Sequence, residues 1–198
     1  MRIVLASGSP RRREIMDLIE AEYEVKACKK EEVITSTVPE EVVKELSLMK
    51  ASAVFEELKE QNDVLVIGAD TVVASEGKIL GKPKSEEDAC RMLEELQGKT
   101  HEVYTGVALV IQTKDEIKKI NFSVGTKVSV LKMSRTEIEA YVATKEPLDK
   151  AGAYAIQGKF SPYIGRLEGD YYNVVGFPIA SICQRLKQEG INLIGYGK

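Results

Sequence analysis

The sequence predicts one α/β domain built on a mixed sheet. Short apolar runs such as "RIVLAS" and "DVLVIGAD" alternate with segments of helical periodicity, which points to parallel pairing. Two long strand-like runs, 100–112 and 117–131, are joined only by the polar "TKDE", a gap that suits an antiparallel pair. The composition, 43% hydrophobic and 30% charged, is that of an ordinary soluble protein. At 198 residues the chain can form one α/β domain with a full core or two small lobes. The antiparallel pair interrupts the helix–strand alternation and leaves room for a two-lobed shape.

"RIVLAS" (2–7) reads as a β-rich run ending at a turn. "SPRRREIMDLIE" (9–20) follows as a helix, with Ser9 as N-cap, Pro10 at the first helical position and Ile15, Leu18 and Ile19 at helical spacing. "YEVKA" (23–27) is a second strand. "PEEVVKELSLMKASAVFEELKEQ" (39–61) is a long helix with Pro39 at its start and two glutamates in its first turn. "DVLVIGAD" (63–70) is an apolar strand stopped by Gly-Ala-Asp, and "TVVASEGKIL" (71–80) a hairpin turning at Glu76–Gly77. "SEEDACRMLEELQG" (85–98) carries a capping box, Ser85 with Asp88, an apolar face of Ala89, Met92, Leu93 and Leu96, and Gly98 as a stop. After the antiparallel pair, "SRTEIEAYVATKEP" (134–147) has a second box, Ser134 with Glu137, and Pro147 closes it. A Gly/Tyr-rich stretch leads to a last helix, "PIASICQRLKQEG" (178–190). There are no repeats, low-complexity tracts or linker-like shifts, so residues 1–198 read as a single domain.

A net charge of −3 argues against nucleic-acid binding by general phosphate attraction, so any basic site is local. The apolar run in "MRIVLASGSP" is too short for a signal segment or a membrane span. Cys28, Cys90 and Cys183 are odd in number and widely spaced, without metal-ligand spacing, as in a reduced cytoplasmic protein. His101 is the only histidine, which disfavours His-ligated metals and Ser–His–Asp catalysis; it reads as an incidental surface or packing residue.

Three features look like chemistry. Arg11, Arg12 and Arg13 crowd the first turn of the first helix, where the dipole disfavours cations. A strand, a Ser-Gly-Ser loop and a helix start form a phosphate cradle, and a bound anion would make Arg11 and Arg12 favourable there; otherwise all three point into solvent. Neither GxxxxGK[ST] nor GxGxxG is present. Asp70 lies at the carboxyl end of an apolar strand, where open α/β folds place ligands; the alternative is a turn or cap residue. Lys50 has Leu46, Ala53 and Val54 as helical neighbours, and taken alone reads as a lysine snorkelling to water. Lys82, in the loop "LGKPKS", means nothing alone. Together these residues suggest a polyphosphate pocket, with cations for charge and a carboxylate for a divalent ion or an attacking water.

Five blocks then resemble the Maf family of nucleoside triphosphate pyrophosphatases: "LASGSPRR" (5–12), "GADTVV" (68–73), "LGKP" (80–83), "EPLDKAGAYAIQG" (146–158) and "VVGFP" (174–178). The block ending in Gln157–Gly158 resembles the subgroup acting on dTTP and UTP. The resemblance implies an elongated mixed sheet flanked by helices, bilobal with a central cleft and similar to inosine-triphosphate pyrophosphatases. It implies hydrolysis of a nucleoside triphosphate to monophosphate and pyrophosphate with a divalent cation, magnesium or manganese. By the same resemblance Asp70 is the catalytic proton acceptor, and Arg11, Thr71 and Gln157 govern substrate choice. Ser7, Arg12, Glu32, Lys50 and Lys82 are pocket residues, with Lys82 counted beside Asp70 as catalytic. The triphosphate is expected on the Ser7–Arg12 turn and Lys82, with the metal on Asp70 and Glu32. Relatives often carry an arginine shortly before the lysine, where this chain has Leu48. The resemblance admits a homodimer, for which the sequence carries no interface signature. The rival is a nucleotide-binding regulator of cell division with little turnover.

Overall fold

The computed structural model describes residues 1–58, 63–114 and 116–196. In chain order the elements are β1 (Arg2–Leu5), α1 (Pro10–Leu18), β2 (Glu24–Val25), α2 (Pro39–Glu56), β3 (Val64–Ser75), β4 (Lys78–Leu80), α3 (Glu86–Leu96), β5 (Thr100–Gln112), β6 (Ile117–Val130), α4 (Arg135–Ala143), β7 (Ile164–Glu168), α5 (Tyr171–Val175) and α6 (Ile179–Gln188). Short 3₁₀ turns occupy 146–149, 151–153 and 161–163. The expected mixed sheet is present, with seven strands in the order β2-β1-β3-β5-β6-β7 and β4 paired to β3. Pairing is parallel among β2, β1 and β3, and antiparallel elsewhere.

Side chains alternate across β3, and the two faces differ. Val64, Val66, Gly68, Asp70 and Val72 face α2, where Val64 and Val66 pack with Ala51, Val54 and Phe55, and Val72 packs with Val42 and Leu46. Leu65, Ile67, Ala69, Thr71 and Val73 face the larger core, covered by α1, α3, α4, α5 and α6. On the α2 face the sheet is cut down to backbone. A Cβ on Gly68 would lie 2.4 Å from the Ser47 carbonyl oxygen, and one on Gly106 would lie 2.1 Å from that of Val43. These glycines form the trough that lets α2 lie against the sheet.

Several sequence expectations change here. β3 is not stopped by Gly-Ala-Asp: it runs through Val64–Ser75, because Gly68 serves close packing and residues 64–74 all pair with β5. Asp70 therefore sits within a strand, opposite Gly106, and not at a strand end. The inward face of α1 is Ile15, Met16 and Ile19, while Leu18 is 61% exposed. Ser9 occupies the N-cap position before Pro10 but its side chain makes no capping bond. Ser85 accepts from Asp88 N, yet the Asp88 carboxylate turns to Lys84 N and Arg91, so that box is half formed. The Ser134–Glu137 box is complete. The second strand shrinks to Glu24–Val25, and the expected helix end at 59–61 lies outside the described residues. β7 and α5, unassigned from sequence, form from the Gly/Tyr-rich stretch.

Candidate active site

The cleft forms where β3 changes partners along one edge. β1 pairs with β3 as far as Leu5↔Ile67, and β4 joins only at Val73↔Leu80. Between those points the edge of β3 opens onto a cavity of about 830 Å³, within the ordinary range for small-molecule sites. Since Asp70 and Thr71 are consecutive, one opening reaches groups on both faces of the sheet. Ser7, Arg11, Arg12, Glu32, Lys50, Asp70, Thr71, Lys82 and Gln157 all line it, together with the first turn of α1.

On the α2 face, Asp70 is held by Lys50. The Lys50 ammonium lies 2.5 Å from Asp70 Oδ1 and 2.7 Å from Glu32 Oε1, so it bridges two carboxylates. Lys50 does not snorkel into solvent: its side chain is 16% exposed and that of Asp70 13%. The glycine trough explains the approach, because Lys50 belongs to the same turn of α2 as Ser47 and Ala51, which rest over Gly68. Burial pushes the Asp70 carboxyl above its ordinary value, and the Lys50 charge opposes the shift.

On the opposite face Arg12 turns inward. Its Nε donates to the Gly176 carbonyl (2.9 Å), Nη1 to Ser7 Oγ (2.8 Å) and Nη2 to Thr71 Oγ1 (3.3 Å). All three acceptors are neutral, and one N–H remains on each terminal nitrogen. Burial pulls the Arg12 guanidinium below its ordinary value, opposed by the Asp70 charge. The direction of Arg12 has a sequence signal: with Ile15, Met16 and Ile19 it completes the i, i+3, i+4, i+7 stripe of α1. Arg13 is exposed, and Arg11 lines the cleft with Nη1 4.0 Å from Asp149. Ser7 Oγ accepts from both Arg12 and Ser9 N, which leaves its own hydrogen to donate.

The third side comes from 146–158. Lys150 was unassigned from sequence although it lies in a motif block; it lines the cleft, pairs with Asp149 and is 14% exposed. Gly152 N donates to the Gly81 carbonyl (3.0 Å), which pins the Lys82 loop beside this segment. Gln157 is exposed at the cleft, with no hydrogen bond to the described residues locking its amide. Tyr154 forms a wall and its hydroxyl is 2.8 Å from His101 Nε2. His101 is thus a buried packing residue and not a surface one, pushed down to about 4 by burial and hence neutral. The cleft carries five cations, Arg11, Arg12, Lys50, Lys82 and Lys150, against three carboxylates, Glu32, Asp70 and Asp149. A chain of net charge −3 thus concentrates positive charge where α1 begins.

Residues 2–189 match the family model described as Maf-like protein. The chain belongs to the Maf family. A relative from Lachnoclostridium phytofermentans, named dTTP/UTP pyrophosphatase, is 46% identical over 194 residues, covering 98% of both chains. One of the same name from Bacillus cereus is 47% identical over 193 residues, covering 97% of both. A solved structure from Mycobacterium abscessus, described as a nucleoside-triphosphatase / dITP/XTP pyrophosphatase, aligns over 96% of this Maf chain and 97% of its own, at 15% identity and a TM-score of 0.43. Among the described residues no helix of this Maf protein is long and apolar enough to cross a membrane.

Proposed function

We propose that this Maf protein hydrolyses dTTP and UTP to the monophosphate and pyrophosphate. Residues 1–198 act as one unit, in a cytoplasmic setting that suits the free thiols Cys28, Cys90 and Cys183. The observation that carries the reading is one cleft holding a largely buried carboxylate on a lysine beside a cationic helix start. The names of the relatives supply the nucleotide.

Hydrolysis requires water to attack the α-phosphorus while pyrophosphate leaves, with charge building on the phosphoryl oxygens. Asp70 accepts the proton of that water, and its raised pKa makes it a stronger base than an exposed aspartate. Arg12, Arg11, Lys82, Lys150 and the Ser7 hydroxyl bind the triphosphate, and of these Arg12 and Ser7 are held in place by hydrogen bonds before substrate arrives. Lys50 holds Asp70 ionised and orients it.

The donor set fits a divalent cation. Asp70 and Glu32 already share one positive group, the Lys50 ammonium, and both offer hard oxygen ligands. Among the described residues no three His, Cys, Asp or Glu side chains gather. Magnesium or manganese held by these two carboxylates would complete its shell from phosphate oxygens and water, the usual pattern for such ions. When bound, it neutralises phosphate charge and makes water more acidic.

Base choice falls to Gln157, whose amide presents a donor and an acceptor to the carbonyl and N–H of uracil or thymine. Gln157→Ala is expected to narrow the preference for UTP over CTP; unchanged discrimination rejects the assignment. For the activity itself, purified protein with UTP or dTTP and magnesium or manganese should release pyrophosphate. Nucleotide binding without release would instead support a regulator.

Because the Lys50 charge opposes the upward shift of Asp70, removing it should raise the Asp70 pKa further. Lys50→Met is therefore expected to move the acid limb of the kcat/KM–pH profile toward higher pH. Activity lost at neutral pH would return in alkaline buffer. A profile scaled down without displacement would exclude this role.

A further inference from the structure

Thr105 and Asn173 do not line the cleft, yet a chain of hydrogen bonds joins them to two groups that do, Thr71 and Arg12. Thr105, on β5, is fully buried and is the cross-strand partner of Thr71. Its Oγ1 lies 2.9 Å from Thr71 Oγ1 and donates to the Asn173 carbonyl at 2.9 Å. A threonine hydroxyl has one hydrogen. The carbonyl of Asn173 can only accept, so the Thr105 hydrogen is committed to it. Thr71 must then donate to Thr105, and its lone pair is left to accept from Arg12 Nη2. The hydroxyl directions are thereby set from Arg12 through Thr71 and Thr105 to Asn173.

The far end of the relay is anchored. Asn173 is fully buried, and its Nδ2 donates to the Val103 carbonyl and to Thr126 Oγ1, both at 2.9 Å. Three residues on, Gly176 supplies the carbonyl that accepts from Arg12 Nε. Gly176 has φ +108°, and a Cβ there would lie 3.0 Å from Thr71 Oγ1. The "NVVG" segment thus contributes no charged group; it directs two main-chain carbonyls into the network around one guanidinium.

We propose that Thr105 is a positioning residue, which through the donor direction of Thr71 holds the Arg12 guanidinium in the orientation that receives the polyphosphate of the substrate. The kinetic consequence rests on the hydrolytic reading above; the orientation of Arg12 does not. Thr105→Val keeps the shape and removes the relay. The Thr71 hydrogen then has no acceptor to fix its direction, so the lone pair that Arg12 Nη2 donates to is no longer held in place and that bond is weakened.

The test has two arms. In ligand-free ¹⁵N-labelled protein, NMR reads rotation about the Arg12 Cζ–Nη bonds, with Arg12→Lys assigning the signals. Rotation is expected to speed up several-fold in Thr105→Val and to return toward wild type in Thr105→Ser. In UTP hydrolysis, Thr105→Val is expected to lower kcat/KM about 10-fold or more, chiefly through KM, as for loss of a hydrogen bond to a charged group. Thr105→Ser should restore it. In a Thr71→Val background the same substitution should cost less than about twofold, since the effect passes through Thr71. Equal losses in both backgrounds, or unchanged Arg12 rotation, would overturn the proposal. If rotation responds while wild-type protein releases no pyrophosphate, the relay stands and the hydrolytic reading fails. Should the valine variant not fold, Thr105→Ala takes its place in both arms.

Discussion

Asp70→Asn should leave a folded protein with kcat reduced by about 10²- to 10³-fold or more, the scale for loss of a charged group at the reacting centre. The amide keeps the shape of the side chain but cannot take a proton from water. The thermal midpoint should not fall with activity, and the sign follows from the pKa. Burial raises the Asp70 carboxyl in the folded state, so its protonated form favours folding and the ionised form at neutral pH opposes it. The wild-type contribution is present at low pH and is lost as pH rises through the folded pKa. The neutral amide carries no such cost. Melting curves and UTP turnover on the same preparation check both halves; near-normal kcat would remove Asp70 from the chemistry.

Gly106→Ala is expected to destabilise the fold strongly. The added methyl would lie 2.1 Å from Val43 O and 2.3 Å from Val43 C, both backbone atoms of α2 that no rotamer change can move. The helix must lift from the sheet. Overpacking of this kind costs about 3 kcal/mol, or roughly 6–12 °C in Tm for a chain of this size. Lifting α2 also carries Lys50 away from Asp70, so activity measured well below the melting point should fall as well. A variant with wild-type Tm and turnover would show that the trough does not set the Lys50–Asp70 distance.

The two substitutions mark how far the residues alone lead. The phosphate-cradle reading of 6–13 follows from composition and helix electrostatics, because three arginines at a helix start need an anion or open solvent. Periodicity carries it one step further: Arg12 shares the stripe of Ile15, Met16 and Ile19, which singles out the arginine that turns inward. Alternation in β3 likewise implies that Asp70 and Thr71 face opposite ways once the run is recognised as one strand. Gly-Ala-Asp hid that, since a glycine near the end of an apolar run reads as a stop. Lys150 and Asp149 carried no spacing signal, and Thr105 and Asn173 resemble ordinary polar residues of a strand and a turn.

By itself the sequence determined what is local: where most of the helices and strands lie, where the capping box at Ser134 closes, and which side chains can carry charge or accept a proton. These depend on propensity and on interactions spanning a few residues. Only the tertiary structure decided that β1 ends and β4 begins so as to open the edge of β3, and that α2 meets two glycines and delivers Lys50 to Asp70. It also decided that the Gly176 carbonyl closes on Arg12 while the Asn173 carbonyl, three residues earlier, holds Thr105. Those contacts join residues 20 to 164 positions apart. They exist because close packing tolerates α2 and the α5 turn in one placement against the sheet, and no short-range pattern encodes that placement.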